Sequence, residues 1–233
     1  MEQDKIWDHY QNEPELRKTF LGKGRLRTIA KLIQAPVEVL TIGIGDGYLE
    51  RTLVANDIVV NILDPSASAV KDLSRELNLG QRAHIGYSQN IECTSASMDV
   101  VVMSEVLEHL GDEILETSIR EVHRVLKPGG RFIGTVPADE NLLDSTVVCP
   151  DCSNIFHRWG HVQSFDAARL QRTLESVFEL VDVERRYLPD LAALNWKGKI
   201  AALPKLLLAK IDGRGSNQNF LFICVKSAPT AGH

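Results

Sequence analysis

Apolar residues along this chain fall into short blocks, and amphipathic stretches separate them. Val39-Leu40-Thr41-Ile42, Ile58 to Leu63 and Val100 to Met103 have the length and β-branched content of buried strands. Between them, Leu49, Leu53 and Val54, then Ala69, Val70, Leu73 and Leu77, recur at helical intervals. This alternation continues to Val136 and predicts an α/β fold: a parallel sheet with right-handed crossovers, helices on both faces and ligands at the carboxyl ends of the strands. Ahead of the first strand, Leu26, Ile29, Ala30, Leu32 and Ile33 predict one or two helices, so residues 1–35 read as a helical cap.

Past Val136 the pattern breaks. Residues 137–163 have no periodicity and contain Pro137, Pro150, Cys149, Cys152, His157 and His161, as expected of a functional loop insertion. Ser164-Phe165-Asp166 then opens a helix with Ala168, Leu170, Leu174 and Val177 on its apolar face, and Val181 to Tyr187 and Phe220 to Val225 read as strands. The segment 191–211 mixes leucines and alanines with Lys197, Lys199, Lys205 and Lys210, and these lysines with Pro204 exclude a comfortable transmembrane helix. Two readings stay open for it: a capping helix or homodimer surface with a solvated basic edge, and an interfacial helix meeting acidic lipid.

The first strand runs into Gly43-Ile44-Gly45-Asp46-Gly47-Tyr48, a turn in which glycine permits positive φ and close approach of a nucleotide-like ligand. A dinucleotide fingerprint would need glycine where Tyr48 stands, which disfavours a nicotinamide cofactor. About twenty residues on, Asp64 ends the second strand at the spacing of a ribose-binding acid.

With these elements, Met98 to Leu110 and Leu126-Lys127-Pro128-Gly129-Gly130-Arg131-Phe132, the chain resembles the class I S-adenosylmethionine-dependent methyltransferases over residues 37–137. It departs from them at Thr41, where the family usually carries an acid. The resemblance implies a Rossmann-like seven-stranded sheet of order 3-2-1-4-5-7-6 with the last strand antiparallel, in a single domain spanning residues 1–233. It also implies S-adenosylmethionine as cofactor, held by Gly43, Gly45, Asp46, Gly47 and Asp64, with Tyr87 and Ser88 beside the adenine and Ser104 and Glu105 by the methionine tail and methyl group.

The formal net charge of −5 over 233 residues, with scattered basic positions, argues against DNA or RNA and for a small-molecule acceptor. The acidic start Met1-Glu2-Gln3-Asp4 lacks signal-peptide features, so a cytoplasmic protein, monomer or homodimer, is expected. Four cysteines in a chain this long make no disulfide framework.

Two clusters could carry metal or acid–base chemistry. Cys149, Cys152, His157 and His161 are spaced C-x2-C-x4-H-x3-H, a donor set suited to a structural zinc. Glu105-Val106-Leu107-Glu108-His109, if helical, would put two carboxylates and an imidazole on one face. That spelling is similar to the divalent-metal site of small-RNA 2′-O-methyltransferases and ubiquinone-type O-methyltransferases, which implies Glu105, Glu108, His109 and His161 around an ion such as magnesium. Many metal-independent methyltransferases share a similar turn. His109 is the first candidate general base, poised near neutral pH, followed by His157 and His161.

The expected function is O-methylation of a small-molecule or sugar-type hydroxyl. RNA 2′-O-methylation and a non-catalytic cofactor-binding module are the alternatives.

Overall fold

The computed structural model describes residues 22–191, 194–211, 213–215 and 217–228, together with Ile6. Of the helical cap expected over residues 1–35, helix α1 (Lys23–Lys31) is described and most of the remainder lies outside the described residues. The chain then runs β1 (Glu38–Ile42), α2 (Tyr48–Val54), β2 (Val59–Asp64), α3 (Ala67–Leu77), β3 (Ala83–Ile85), β4 (Met98–Ser104), α4 (Asp112–Val125) and β5 (Leu126–Pro137). A small hairpin, β6 (Thr146–Val148) and β7 (Ile155–His157), precedes α5 (Ala167–Glu175), β8 (Leu180–Tyr187), α6 (Trp196–Lys210) and β9 (Gln218–Val225).

Seven strands form one sheet in the order β3-β2-β1-β4-β5-β9-β8. The pairs from β3 to β5 are parallel, and β9 is antiparallel to both β5 and β8. This is the order the resemblance implied, with the last strand in chain order inserted antiparallel.

Both faces of the sheet are covered, which is why the central strands read as continuous apolar runs rather than as alternation. In β4, Val101 and Met103 point into a core shared with Leu115, Ile119 and Val122 of α4 and with Leu170, Leu174 and Phe178. Val100 and Val102 point the other way, against Ile29 of α1, Leu49 and Leu53 of α2 and Val70 and Leu73 of α3. At Gly134 of β5 a Cβ would collide with the Met103 carbonyl and the Phe222 ring, so the side chain of Phe222 lies across the strand at a position where β5 has none.

The expected structureless insertion contains local order. Thr146, Val147 and Val148 pair with His157, Phe156 and Ile155, and Cys149 to Asn154 make the turn between them. Strands this short, with most positions exposed, give no readable period. A bridge between Ala138 and Phe165 and the bond from the Asp139 amide to the Phe165 carbonyl (2.9 Å) close the insertion's ends against the sheet.

Candidate active site

The site forms where the parallel strands end. After β1, Gly43, Gly45 and Gly47 all have positive φ (80°, 52° and 76°), a conformation that L side chains rarely adopt. A Cβ at Gly43 would meet Val106 Cγ2 at 2.6 Å, whereas one at Gly45 would meet nothing within 4 Å, so Gly45 faces open space. Asp46 Oδ1 accepts from the Tyr48 amide (3.0 Å), which fixes the turn into α2. Tyr48 is held by α1: its hydroxyl accepts from Arg27 Nε (2.7 Å), and Lys23 stands 5.4 Å from its ring centroid.

Asp64, at the end of β2, is buried, and its carboxylate ties two loops together. Oδ2 accepts from the Ile44 amide (3.0 Å) inside the glycine turn, and Oδ1 accepts from the Ser66 amide (2.8 Å) at the start of α3. Thr41, where the resemblance would put an acid, lies buried beside Glu50 of α2, and its hydroxyl donates to the Asn61 carbonyl (3.5 Å). Burial, opposed by the nearby Thr41 hydroxyl, pushes the Glu50 carboxyl up to about 7. The acid beneath this loop therefore comes from the helix rather than from the strand.

Tyr87 and Ser88 follow β3 as expected, but only Tyr87 is exposed there. The Ser88 hydroxyl is buried against Ser118 of α4 (2.7 Å), which commits it to packing. After β4, Ser104 Oγ bonds Thr135 Oγ1 (2.9 Å) and accepts from Arg25 Nε of α1 (2.9 Å).

Glu105 departs from the sequence expectation. Its φ is +58°, and the helical turn covers only Leu107–His109. Its carboxylate accepts from Asn219 Nδ2 at 3.1 and 3.2 Å and pairs with Arg25 at 3.5 Å. A left-handed residue breaks the helical geometry on which the one-face argument for Glu105, Glu108 and His109 depended.

Glu108, His109 and His161 do converge, with one ligand atom from each within 4.8 Å of the others. Val162 N donates to the Glu108 carbonyl at 2.9 Å, and Gln163 Nε2 donates to the carbonyls of Leu107 and Leu110, so the insertion is laid directly on this turn. Glu108 is 1% exposed, and neither carboxylate oxygen has a hydrogen-bond partner among the described residues. Burial, with the Glu105 charge adding to it, holds its carboxyl well above the usual range.

His109 Nδ1 lies 3.0 Å from the Gly160 carbonyl, an acceptor only, so that nitrogen carries the proton and Nε2 keeps its lone pair. Burial, helped by the neighbouring His161, pushes His109 down to about 3. It is a neutral imidazole at physiological pH and not the base poised near neutrality that the sequence suggested.

A second triad, Glu140, His157 and His161, shares His161 with the first, and Glu140 is a residue the sequence reading did not single out. His161 Nδ1 is 2.5 Å from Glu140 Oε2, and His157 Nε2 is 3.5 Å from Glu140 Oε1. His157 Nδ1 accepts from the Trp159 and His161 amides (3.3 and 3.1 Å), which leaves its Nε2–H facing Glu140. The rings of His157 and His161 stack with centroids 4.5 Å apart.

The proposed zinc quartet does not assemble. Cys149 and Cys152 lie at the outer turn of the β6–β7 hairpin, and neither joins a metal-capable group with His157 or His161 among the described residues. His157 pairs with Thr146, at the opposite end of a ladder whose last pair is Val148 with Ile155, so the hairpin itself spaces the two donor pairs apart. The Cys149 thiol is held below its ordinary value by the Cys152 and Asp151 amides and the Cys152 thiol.

Residues 40–134 match the methyltransferase domain family. This match supports the resemblance to the class I S-adenosylmethionine-dependent methyltransferases over that part of the chain. It is 28% identical over 100 residues to the ubiquinone/menaquinone biosynthesis C-methyltransferase UbiE of Rubrivivax gelatinosus, a match covering 43% of this chain and 39% of that protein. The chain thus spans well under half the length of that relative.

Among solved structures, the methyltransferase bound to the Trm112 activator of Haloferax volcanii superposes with a TM-score of 0.67 at 18% identity, covering 95% of this chain and 98% of that one. A Thermotoga maritima protein described as a possible histamine N-methyltransferase gives 0.63 at 18% identity, over 96% and 99%. At such identities these two share the fold of this chain and nothing narrower.

Proposed function

We propose that this domain transfers the methyl group of S-adenosylmethionine to a hydroxyl oxygen of a small-molecule acceptor, beside a divalent cation held by Glu108, His109 and His161. The observation that carries the reading is Glu108: a buried carboxylate without a hydrogen-bond partner among the described residues, facing two imidazoles. An unpaired polar group of this kind costs free energy unless something satisfies it, and a cation does so. Two imidazoles and one carboxylate suit a borderline ion such as zinc, manganese or iron better than magnesium.

The second triad supports the first. The Glu140 carboxylate engages His161 Nδ1, which fixes the ring and leaves Nε2 as the lone-pair nitrogen, while the Gly160 carbonyl does the same for His109. Glu140 and the Gly160 carbonyl are the outer partners of such a site.

S-adenosylmethionine supplies an already electrophilic methyl group, so the chain's task is alignment and control of the acceptor's proton. The glycine turn offers its backbone at Gly45, Asp64 orders that turn, and the Ser104 hydroxyl borders the end of β4. A cation at Glu108 would add the charge that lowers the pKa of an acceptor hydroxyl. This last point favours oxygen over the carbon and nitrogen chemistries in the names of the similar proteins. The chain's −5 charge favours a small acceptor over RNA.

Metal analysis of the purified chain and of Glu108→Gln and His161→Ala, each also titrated with S-adenosylhomocysteine, tests this reading. The wild type should carry a divalent ion that both variants lose, while all three bind S-adenosylhomocysteine. Equal metal content in the three proteins would refute the cation. Radiolabelled methyl transfer against a panel of hydroxyl, amine and carbon acceptors tests the chemistry, and a product methylated only on nitrogen or carbon would refute O-methylation.

A further inference from the structure

Helix α6 places its residues in an unusual order. Its small side chains, Ala202 and Ala209, are the ones buried against the protein, while Trp196, Ile200, Leu203 and Leu207 are 68, 57, 57 and 65% exposed, followed by Ile211 at 78%. An ordinary packed helix does the reverse. At 100° per residue these five positions fall within a stripe roughly 80° wide. Lys197 and Lys199, both exposed, flank the stripe on either side, and Ala202 and Ala209 lie opposite. The helix contains four lysines and no acidic residue, in a chain whose net charge is −5.

The helix also stands at the functional edge of the sheet. Asn219 of β9 pairs with Pro137 at the end of β5, so the crossover from β8 to β9 that contains α6 lies at the carboxyl ends of the parallel strands. Asp190, at the start of that crossover, pairs with Arg27 of α1.

We propose that α6 seats this edge of the protein on an anionic lipid bilayer, with the stripe from Trp196 to Ile211 entering the headgroup–acyl boundary and Lys197 and Lys199 meeting the anionic headgroups. Three observations select this occupant. An apolar stripe with a tryptophan and lysine flanks matches the interfacial zone, where one side of a helix is apolar and the other wet. The local positive charge is complementary to anionic lipid and opposite to that of the chain as a whole. Pairing with a second copy of the chain would bring two sets of lysines together. No described helix is long and apolar enough to cross a membrane, so the contact is a surface one. Docking is independent of the methyl-transfer reading, and its test does not require turnover.

Flotation of the full chain with phosphatidylcholine vesicles, with and without about 30% phosphatidylglycerol, measures it. The wild type should float with the mixed vesicles, far less with pure phosphatidylcholine, and less again when salt is raised from about 0.1 M to about 1 M. Leu203→Gln with Leu207→Gln should lower the bound fraction by about tenfold or more. Lys197→Gln with Lys199→Gln should abolish the preference for the anionic vesicles. These side chains are exposed, so retained S-adenosylhomocysteine binding should confirm that the variants fold. Failure of the wild type to float with mixed vesicles would overturn the proposal, as would unchanged flotation of the leucine variant. A dimer that the leucine variant dissociates, in a protein that ignores vesicles, would assign the stripe to a second copy instead.

Discussion

Replacing Glu50 by glutamine should make the protein more stable above neutral pH and leave it nearly unchanged in mild acid. Glu50 is fully buried beneath the glycine turn, and its Oε2 has no hydrogen-bond partner among the described residues. Its carboxyl is raised from 4.5 to about 7 in the folded chain, with burial as the main cause. The folded state therefore holds a proton that the unfolded state releases, and stability falls as pH rises from about 4.5 towards 7, then levels off. At about 1.4 kcal/mol per pKa unit, the ionised side chain costs the folded state about 3 kcal/mol above pH 7. Glutamine keeps the shape without the charge. For a chain of this size that corresponds to an increase in melting temperature of about 6–12 °C at pH 8.5 and little change at pH 5. Thermal melts of both proteins from pH 4.5 to 8.5 measure the difference. A difference independent of pH would refute the assignment of this titration to Glu50, and a variant less stable at pH 8.5 would refute the burial argument itself.

Three further outcomes follow from the same geometry. Asp64→Asn exchanges a charged acceptor of the Ile44 and Ser66 amides for a neutral one, and calorimetry should find S-adenosylhomocysteine binding weakened by about tenfold to a hundredfold; unchanged affinity would remove Asp64 from the site. Gly134→Ala inserts a Cβ against the Met103 carbonyl and the Phe222 ring, so urea unfolding should show a loss of about 1–3 kcal/mol, and a neutral result would mean the strands give way there. Cys149→Ser with Cys152→Ser should leave the metal content unchanged, since neither thiol joins a metal-capable group among the described residues; loss of the ion would restore the cysteines as ligands.

What the sequence made legible depended on how local the controlling physics was. The glycine turn was readable because three positive-φ positions, an apolar strand before them and an acid at the next strand's end are all fixed within a short stretch. The sheet order followed from the resemblance carried by those motifs. The second half of the site was harder to read, because it is set by single backbone angles and long-range closure. One residue at φ +58° turned Glu105 towards Asn219 and Arg25, and no spacing rule reports that. Glu140 sits in a loop without periodicity and reaches His161 only because the bridge from Ala138 to Phe165 and the bond from Val162 to the Glu108 carbonyl fold the insertion onto the turn. The spacing of Cys149, Cys152, His157 and His161 looked like a ligand set because spacing along a loop says nothing of direction. Once the segment forms a hairpin, each pair of strand residues carries the cysteines farther from the histidines. Helix α6 was legible as basic and apolar, but not in its orientation. Which face turned outward was decided by packing, where Ala202 and Ala209 are buried against the protein and Trp196, Ile200, Leu203 and Leu207 are left outside to find another surface.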